Sequence, residues 1–274
     1  MLNERAFRIG SGRYLQGRGI VASAADEILR LGENPLILSG ETAWKVAGEA
    51  IRESLAKKGL SYTLKIHKGI CNKDVASTFA AYAKENGHGV IVGVGGGVMM
   101  DLAKLVAVLA SLPVLNIPTS AATCAAYTPL SVCYTEEGRT IGTAHHDVEV
   151  NCVLVDTEIM IGQPPRLFLS GVFDAMAKFL EIRHRYRPED TSFSLGLDYA
   201  YVMSVRSFEL LSAATSPCLD AMKRGEITET FEQAIFTLIA ATGVISGIAR
   251  GSNQTALGHK FYESARALYP AQTD

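Results

Sequence analysis

Three adjacent glycines that follow an apolar run constrain this chain more than any other feature. Residues 90–94 have the length and composition of a buried strand, and they lead directly into Gly95, Gly96 and Gly97. Apolar residues then recur at helical spacing: Val98, Leu102, Leu105, Val106 and Leu109. The pattern predicts a strand, a tight turn and a helix. Because glycines carry no side chains, the backbone N–H groups and the helix dipole can face a pyrophosphate at close range.

The glycines alone leave two interpretations open, a nucleotide-binding turn or simply a sharp connection between a strand and a helix. The dinucleotide fingerprint G-x-G-x-x-G, started at Gly93, places Val98 at its last position. That fingerprint normally follows the first strand of its domain, whereas strand-like and helix-like segments come earlier here. The ordinary Rossmann fingerprint therefore does not apply.

Composition excludes several classes of function. The chain has 274 residues, of which 48% are apolar and 20% charged, so it can bury a large core in one or two domains. A net charge of −2 offers no electrostatic attraction to nucleic acid or to acidic membranes. We recognise no signal-peptide core and no stretch of membrane-spanning length, so we expect a soluble cytoplasmic protein. The five cysteines show no C-x-x-C spacing, which favours reduced thiols.

The two halves of the chain have different patterns. Up to about residue 160, strand-like and helix-like segments alternate as in a parallel α/β sheet. Strands are predicted at residues 35–38, 62–67, 90–94, 114–117, 130–134 and 148–155, and helices at 42–58 with Thr42 as N-cap, at 74–84 and from 99. Further helices are predicted at residues 166–185, 192–211, 228–245 and 254–268. We predict a nucleotide-binding α/β domain over residues 1–160, an all-helical domain over 161–274, and a ligand cleft between them.

Two residues of the helical half are candidates for metal chemistry. Asp174 lies in an otherwise apolar helical stretch, with Lys178 at i+4 and Glu181 at i+7 on the same face. It is either the partner of Lys178 in a plain ion pair or a metal carboxylate that faces the cleft. His259 alone is more often structural than a ligand, but with Asp174 it supplies the nitrogen and oxygen donors of a catalytic zinc or iron site.

A second group of possible metal ligands is the run His145-His146-Asp147. It falls in a polar stretch between predicted strands, which favours a solvated loop over a metal site.

Several motifs occur in a fixed order along the chain. They are Gly95-Gly96-Gly97 with Asp101 and Lys104, residues 118–123, residues 130–138, residues 155–158 and residues 165–178. Together they resemble the iron-containing alcohol dehydrogenase superfamily, in particular its glycerol dehydrogenase branch, which shares its fold with dehydroquinate synthase. The resemblance runs over nearly the whole chain, and the ordered set is far more specific than the glycine turn alone.

The resemblance implies hydride transfer between NAD or NADP and a small alcohol, polyol or ketone, assisted by zinc or iron, in a homo-oligomer. It implies a dinucleotide site formed by Gly95, Gly96, Gly97, Asp101, Thr119, Ser120, Thr128, Leu130 and Tyr134. Asp174 and His259 would be catalytic as the first two metal ligands, and Cys124 would contact the substrate. The third ligand would be a histidine beyond residue 274, so we expect the helical domain to be incomplete.

Three positions depart from the pattern of the family. Cys124 stands where related glycerol dehydrogenases carry a substrate-contacting Asp, and a thiol does not accept hydroxyl hydrogen bonds as a carboxylate does. Ser39-Gly40 stands where an acidic residue would bind the ribose 2′-hydroxyl, which leaves NADP open beside NAD. Phe173 replaces a small residue before the ligand Asp and is expected to narrow the pocket.

Two other functions remain as alternatives. One is a sugar-phosphate enzyme of the same fold, resembling dehydroquinate synthase or glycerol-1-phosphate dehydrogenase. Such an enzyme needs a basic cluster in the cleft, and the candidates are typical of an exposed helix end: Arg183, His184, Arg185 and Arg187. The other alternative is a non-catalytic nucleotide-binding protein that lacks the third metal ligand.

Overall fold

The core of the fold is a six-stranded parallel sheet. The computed structural model describes residues 9–186 and 195–249. The described residues form eight strands, of which six belong to this sheet: β1 (Tyr14–Gly17), β2 (Pro35–Ser39), β3 (Thr63–Ile66), β4 (Val90–Gly95), β5 (Val114–Pro118), β6 (Leu130–Tyr134), β7 (Thr140–His145) and β8 (Cys152–Asp156). The sheet has the order β1-β8-β5-β4-β2-β3, and β6 and β7 form a separate antiparallel hairpin.

Helices cover the sheet and make up the described chain beyond β8. They are α1 (Ala24–Leu29), α2 (Glu41–Lys57), α3 (Lys73–Glu85), α4 (Gly97–Ala110), α5 (Thr157–Ile161), α6 (Pro165–Arg185), α7 (Leu195–Arg224), α8 (Glu229–Phe236) and α9 (Thr242–Ala249). A five-residue π-helical segment, Thr237–Ala241, joins α8 to α9. The predicted fold class, a parallel α/β sheet followed by helices, is confirmed.

Alternating apolar side chains give the sheet a core on each face. Ile37, Val92 and Leu115 belong to a cluster with the residues of α1 and α2. Leu36, Ile91 and other side chains belong to a second cluster, which includes α3, α4 and residues of the helical half. Because this second cluster draws on both sides of residue 160, the division into two domains there stays a prediction.

The order of the strands identifies where a ligand is expected. The chain places β3 on one side of β2 and then β4 and β5 on the other side, so the topological switch point lies between β2 and β4. Ligands of open α/β sheets bind outside the carboxyl ends of the strands at such a point. Ser39 ends β2 there, and its Oγ donates to the carbonyl O of Val94, 3.1 Å away in β4. The glycine turn begins one residue later, at Gly95.

Several predicted elements need correction. The strands β1 and β7 were not predicted, so the glycine turn follows the fourth strand of the chain rather than the third. The strand predicted at residues 148–155 starts at Cys152, and residues 130–134 pair in the hairpin rather than in the main sheet. Gly40, not Thr42, is the N-cap of α2. These errors concern short polar or edge segments, where the alternation of apolar residues is weakest.

The helical half also differs in detail from the prediction. The helix predicted at residues 192–211 is α7, which extends to Arg224 and includes Pro217. The helix predicted at 254–268 lies outside the described residues. Glu229–Ala249 is long and apolar enough to cross a membrane by length and composition, which the sequence analysis overlooked, but 61% of its most apolar window is buried inside the protein. Such burial is typical of the core helix of a soluble fold.

Candidate active site

The glycine turn packs tightly against the loop that follows β5. The N–H of Thr119 donates to the carbonyl O of Gly95 at 2.9 Å. A Cβ added to Gly97 would lie 2.9 Å from Thr123 Oγ1, and one added to Gly96 would lie 3.4 Å from Ser120 Oγ. Within the described chain no side chain caps the start of α4. The first N–H groups of that helix are therefore suited to a phosphate group.

Asp101 and Lys104 lie one turn further along α4 and act as a buried clamp. Lys104 is 1% exposed, and its Nζ lies 2.8 Å from Asp101 Oδ1. The same Nζ donates to the carbonyl oxygens of Ala125 at 2.6 Å and Thr128 at 2.9 Å, and to that of Leu130. One ammonium thus holds the loop between β5 and β6 to the helix that begins at the glycine turn. We name Asp101 and Lys104 together the Asp–Lys clamp.

The hairpin is attached to α4 by a second set of buried hydrogen bonds. The N–H of Val132 donates to Asp101 Oδ2 at 3.1 Å, and Ser131 Oγ donates to the carbonyl O of Asp101 at 2.7 Å. His146 Nε2 lies 2.8 Å from Ser131 Oγ. Because the hydroxyl hydrogen of Ser131 is given to Asp101, the imidazole must be the donor in this last contact. His146 therefore carries a proton on Nε2.

The solvated loop predicted for the run His145-His146-Asp147 is wrong for its central residue. His145 ends β7, and His146 is buried behind the hairpin. Burial, with the positive charge of Lys104 as a smaller cause, lowers the pKa of His146 to about 4. The residue supports the hairpin rather than binding a metal or facing water.

Asp174 reaches the same loop from the helical half. A Cβ at Gly171 of α6 would lie only 1.9 Å from the carbonyl O of Ala121, so this glycine lets the helix touch the loop. Gln163 Oε1 accepts the N–H of Ala121 at 2.9 Å and anchors the loop from the start of the helical half. Asp174 follows Gly171 by one helical turn.

The predicted i,i+4 ion pair of Asp174 is present. Lys178 Nζ lies 2.9 Å from both carboxylate oxygens of Asp174; the lysine side chain is 2% exposed and that of Asp174 is 22% exposed. Burial disfavours the ammonium, but Asp174, Cys124 and Glu181 outweigh it, so the pKa of Lys178 is raised. The ion pair does not decide against a metal role, because a carboxylate has about four acceptor positions.

Cys124 lies beside this ion pair. It is buried, and its Sγ is 3.8 Å from the Oγ of Ser246 in α9. Burial raises the pKa of the Cys124 thiol, Lys178 opposes that effect, and Asp174 adds to it. The described structure thus brings Cys124, Asp174 and Lys178 together, with Cys124 as a neutral thiol.

The other predicted site residues differ in how far they are exposed to solvent. Thr128 and Tyr134 are buried, and Thr119 is partly exposed beside the glycine turn. Phe173 is 66% exposed, so it does not narrow a pocket among the residues described. His259 lies outside the described residues.

The residues described fit a bound dinucleotide better than they define a metal site. The uncapped helix start and the packed glycine turn suit a pyrophosphate. In the described ranges no group of three His, Cys, Asp or Glu side chains could hold a metal ion. Asp174 fits such an ion only together with donors outside those ranges, such as His259.

Two residues that shape the site, Gln163 and Ser246, were missed, and the structural role of a third, Lys104, was not foreseen. Gln163 and Ser246 reach the loop through long-range contacts that leave no local signal in the sequence. Lys104 was recognised only as part of a motif. The sequence did hold a signal for its role, because an aspartate and a lysine three residues apart in an apolar helix are expected to be buried and paired.

Comparisons of the sequence find a matching family and similar proteins. A family model described as iron-containing alcohol dehydrogenase covers residues 11–157. Glycerol dehydrogenase from Pseudomonas putida is 28% identical over 94% of this chain and 70% of its own length. Hydroxycarboxylate dehydrogenase A from Escherichia coli (strain K12) is 29% identical over 74% of this chain and 56% of its own length.

The fold comparison agrees with the sequence comparison. The crystal structure of glycerol dehydrogenase from Schizosaccharomyces pombe aligns with a TM-score of 0.78 and 25% identity, over 89% of this chain and 62% of that one. The chain thus spans between 56% and 70% of the length of these three proteins. Sequence and fold point to the same family.

Proposed function

Because the chain belongs to the iron-containing alcohol dehydrogenase family, we propose that it is an oxidoreductase that uses NAD or NADP to act on the CH–OH group of a small alcohol or polyol. One observation carries the proposal. The glycine turn at the switch point, the loop with Cys124 and the helix with Asp174 meet in one place, where Gly171 contacts Ala121. A dinucleotide on one side of that loop and a substrate on the other would be close enough to react.

On the cofactor side the backbone does most of the binding. Gly95, Gly96 and Gly97 hold the pyrophosphate at the start of α4. Further contacts come from the loop and the hairpin, through Thr119, Ser120, Thr128, Leu130 and Tyr134. Asp101 contributes by holding this loop and hairpin in place rather than by reaching the nucleotide, because its carboxylate is buried against Lys104 and Val132.

On the substrate side, side chains rather than backbone groups would make the contacts. Asp174 and His259 would hold a zinc or iron ion, which when bound lowers the pKa of the substrate hydroxyl and stabilises the alkoxide. Cys124 lines the same place as a neutral thiol. Because a thiol is a weak acceptor, we expect poorer binding of a glycerol hydroxyl than a carboxylate there would provide.

The sugar-phosphate alternative finds no support in the described chain. Arg183 and His184 are exposed near the end of α6, whereas the side chain of Arg185 and all of Arg187 lie outside the described part of the chain. The non-catalytic alternative predicts dinucleotide binding without turnover.

A substrate screen tests the proposed function. Glycerol, 1,2-propanediol, glycerol phosphate, small α-hydroxy ketones and a 2-hydroxycarboxylate are each assayed with NAD and NADP, with and without added Zn²⁺ or Fe²⁺. We expect turnover of a small alcohol or polyol that is abolished by Asp174→Asn and retained in the surface variant Lys223→Met. Binding of dinucleotide with no turnover of any compound in the presence of metal would favour the non-catalytic alternative.

A further inference from the structure

Two cysteines near the turn of the hairpin are neighbours in space although they are far apart in the sequence. Cys71 lies just before α3 and is fully buried, whereas Cys133 lies in β6 and is half-buried. The N–H of Tyr134 donates to the carbonyl O of Cys71 at 2.9 Å. This bond joins Cys71 to the residue that follows Cys133, and neighbouring strands that are hydrogen-bonded in this way lie about 5 Å apart. That spacing is inside the roughly 4.4–6.8 Å between Cα atoms that a disulfide needs.

The side chains of the two cysteines also meet. Each thiol affects the pKa of the other, as only close groups do, and Cys133 packs against the core cluster that contains Cys71. Cys133 Sγ also lies 3.9 Å from the carbonyl O of Ser131. No second thiol affects the pKa of the remaining three cysteines, which instead lie near oxygen atoms: Cys124 Sγ is 3.8 Å from Ser246 Oγ, Cys152 Sγ is 3.9 Å from Glu27 Oε2, and Cys218 Sγ is 3.7 Å from the carbonyl O of Thr230. Only the first pair is placed for sulfur–sulfur chemistry.

One thiol of the pair is accessible and the other is not. Cys133 pairs across the hairpin with Gly142, which has no side chain to cover it and open space where a Cβ would stand. Burial raises the pKa of both thiols, so the attacking thiolate is scarce at neutral pH and oxidation should be faster at alkaline pH. Cys133 is the more exposed of the two residues. A small oxidant therefore meets Cys133 first.

We propose that Cys71 and Cys133 form an intramolecular disulfide when the protein meets a peroxide. The Cys133 thiol loses its proton to solvent, the thiolate sulfur attacks one peroxide oxygen, and the O–O bond breaks. The hydroxide that leaves takes up a proton, so one sulfenic acid and one water form. The Cys71 sulfur then attacks the sulfenic sulfur, the S–S bond forms, the S–O bond breaks and a second water leaves. The two thiols lose two electrons and two protons, and hydrogen peroxide becomes two waters.

The disulfide would tie the hairpin to the segment before α3. Because it closes a long loop, we expect it to raise the thermal midpoint by roughly 5–10 °C. The hairpin also carries Leu130 and Tyr134, so any effect of the tie on dinucleotide affinity rests on the proposed function. Formation of the bond itself does not.

Peptide mapping tests the proposal directly. The full chain is treated with hydrogen peroxide under native conditions, free thiols are then alkylated in denaturant, and the protein is digested without reductant for mass spectrometry. We expect a peptide pair joined through Cys71 and Cys133 that dithiothreitol separates. Cys218→Ser should give the same linked pair, whereas Cys133→Ser should not.

Either of two results would overturn the proposal. In one, Cys133 is oxidised to sulfinic acid while Cys71 is recovered alkylated. In the other, the linked pair contains a different cysteine. If the Cys133 variant does not fold, the map of the unaltered chain still decides. Dinucleotide affinity of the oxidised protein is measured separately, so that failure of the proposed function leaves the map unaffected.

Discussion

The cofactor side and the substrate side of the candidate site are built in different ways. On the proposed cofactor side, backbone groups would form the binding surface, and the Asp–Lys clamp holds the neighbouring loop and hairpin with at least four contacts to one buried ammonium. On the substrate side, a few side chains meet where α6 touches the loop: Cys124, Asp174 and Lys178. A surface made of backbone tolerates changes of sequence, whereas a surface made of side chains changes its chemistry with each substitution.

The largest effect is expected from removing the ammonium of the clamp. Lys104→Met leaves the Asp101 carboxylate buried without its cation and leaves three carbonyl oxygens without their donor. We expect the free energy of unfolding to fall by about 3–5 kcal/mol in urea denaturation. The double variant Asp101→Asn/Lys104→Met should lose less than the single variant.

A matched surface variant shows whether the loss of stability comes from the burial of Lys104 or from the loss of a lysine charge in general. Lys223 pairs with Asp220 in the exposed last turn of α7, so Lys223→Met should leave the urea midpoint unchanged. A Lys104→Met protein as stable as this control would mean that the clamp does not hold the loop.

The next effect is expected where the two sides touch. Gly171→Ala places a Cβ 1.9 Å from the carbonyl O of Ala121 and must push α6 away from the loop. We expect a loss of about 1–3 kcal/mol in the free energy of unfolding. Turnover should fall more than dinucleotide affinity, because only the substrate side moves. Gly162→Ala is the control, because its new Cβ would lie 3.6 Å from the carbonyl O of Ile159, an ordinary contact distance. If Gly171→Ala reduced dinucleotide affinity and turnover equally, the separation of the two sides would be contradicted.

A smaller effect is expected from acid on the cofactor side. The pKa of His146 is about 4 in the folded protein, against an ordinary value of 6.5. Between these values the unfolded chain binds a proton that the folded chain does not, so stability is lost as the pH falls below about 6.5. From pH 7 to pH 5 the loss should be roughly 1–2 kcal/mol. In His146→Gln the same pH change should cost clearly less in urea denaturation; an identical pH profile would show that His146 is not buried neutral.

The sequence was sufficient for the regular parts of the cofactor side. The apolar run of β4, the glycines and the spacing of α4 are local patterns, and each is confirmed within a residue or two. The edge strand β1 and the polar strand β7 were missed because neither has enough apolar alternation to stand out. The wrong environment assigned to His146 has the same cause, since its burial depends on how the hairpin folds back over α4.

The substrate side was less predictable because its contacts join distant segments. The Asp174–Lys178 pair follows from helical spacing, but the contact between Gly171 and Ala121 does not. Nor does any local pattern place Ser246 near Cys124. The metal ligand predicted at His259 stays a prediction, as do the direct contacts of the cofactor and substrate residues.

Dinucleotide binding to a Gly97 variant tests the central claim, that the backbone of the glycine turn holds the cofactor. Gly97→Ala adds one methyl group at the start of α4, 2.9 Å from Thr123 Oγ1. Fluorescence titration with NADH and NADPH is compared among the unaltered chain, Gly97→Ala and the control Gly162→Ala, with circular dichroism to confirm an unchanged fold. We expect affinity for the preferred dinucleotide to fall at least about tenfold in Gly97→Ala alone, equivalent to roughly 1.4 kcal/mol. Equal affinity in all three proteins would contradict the account.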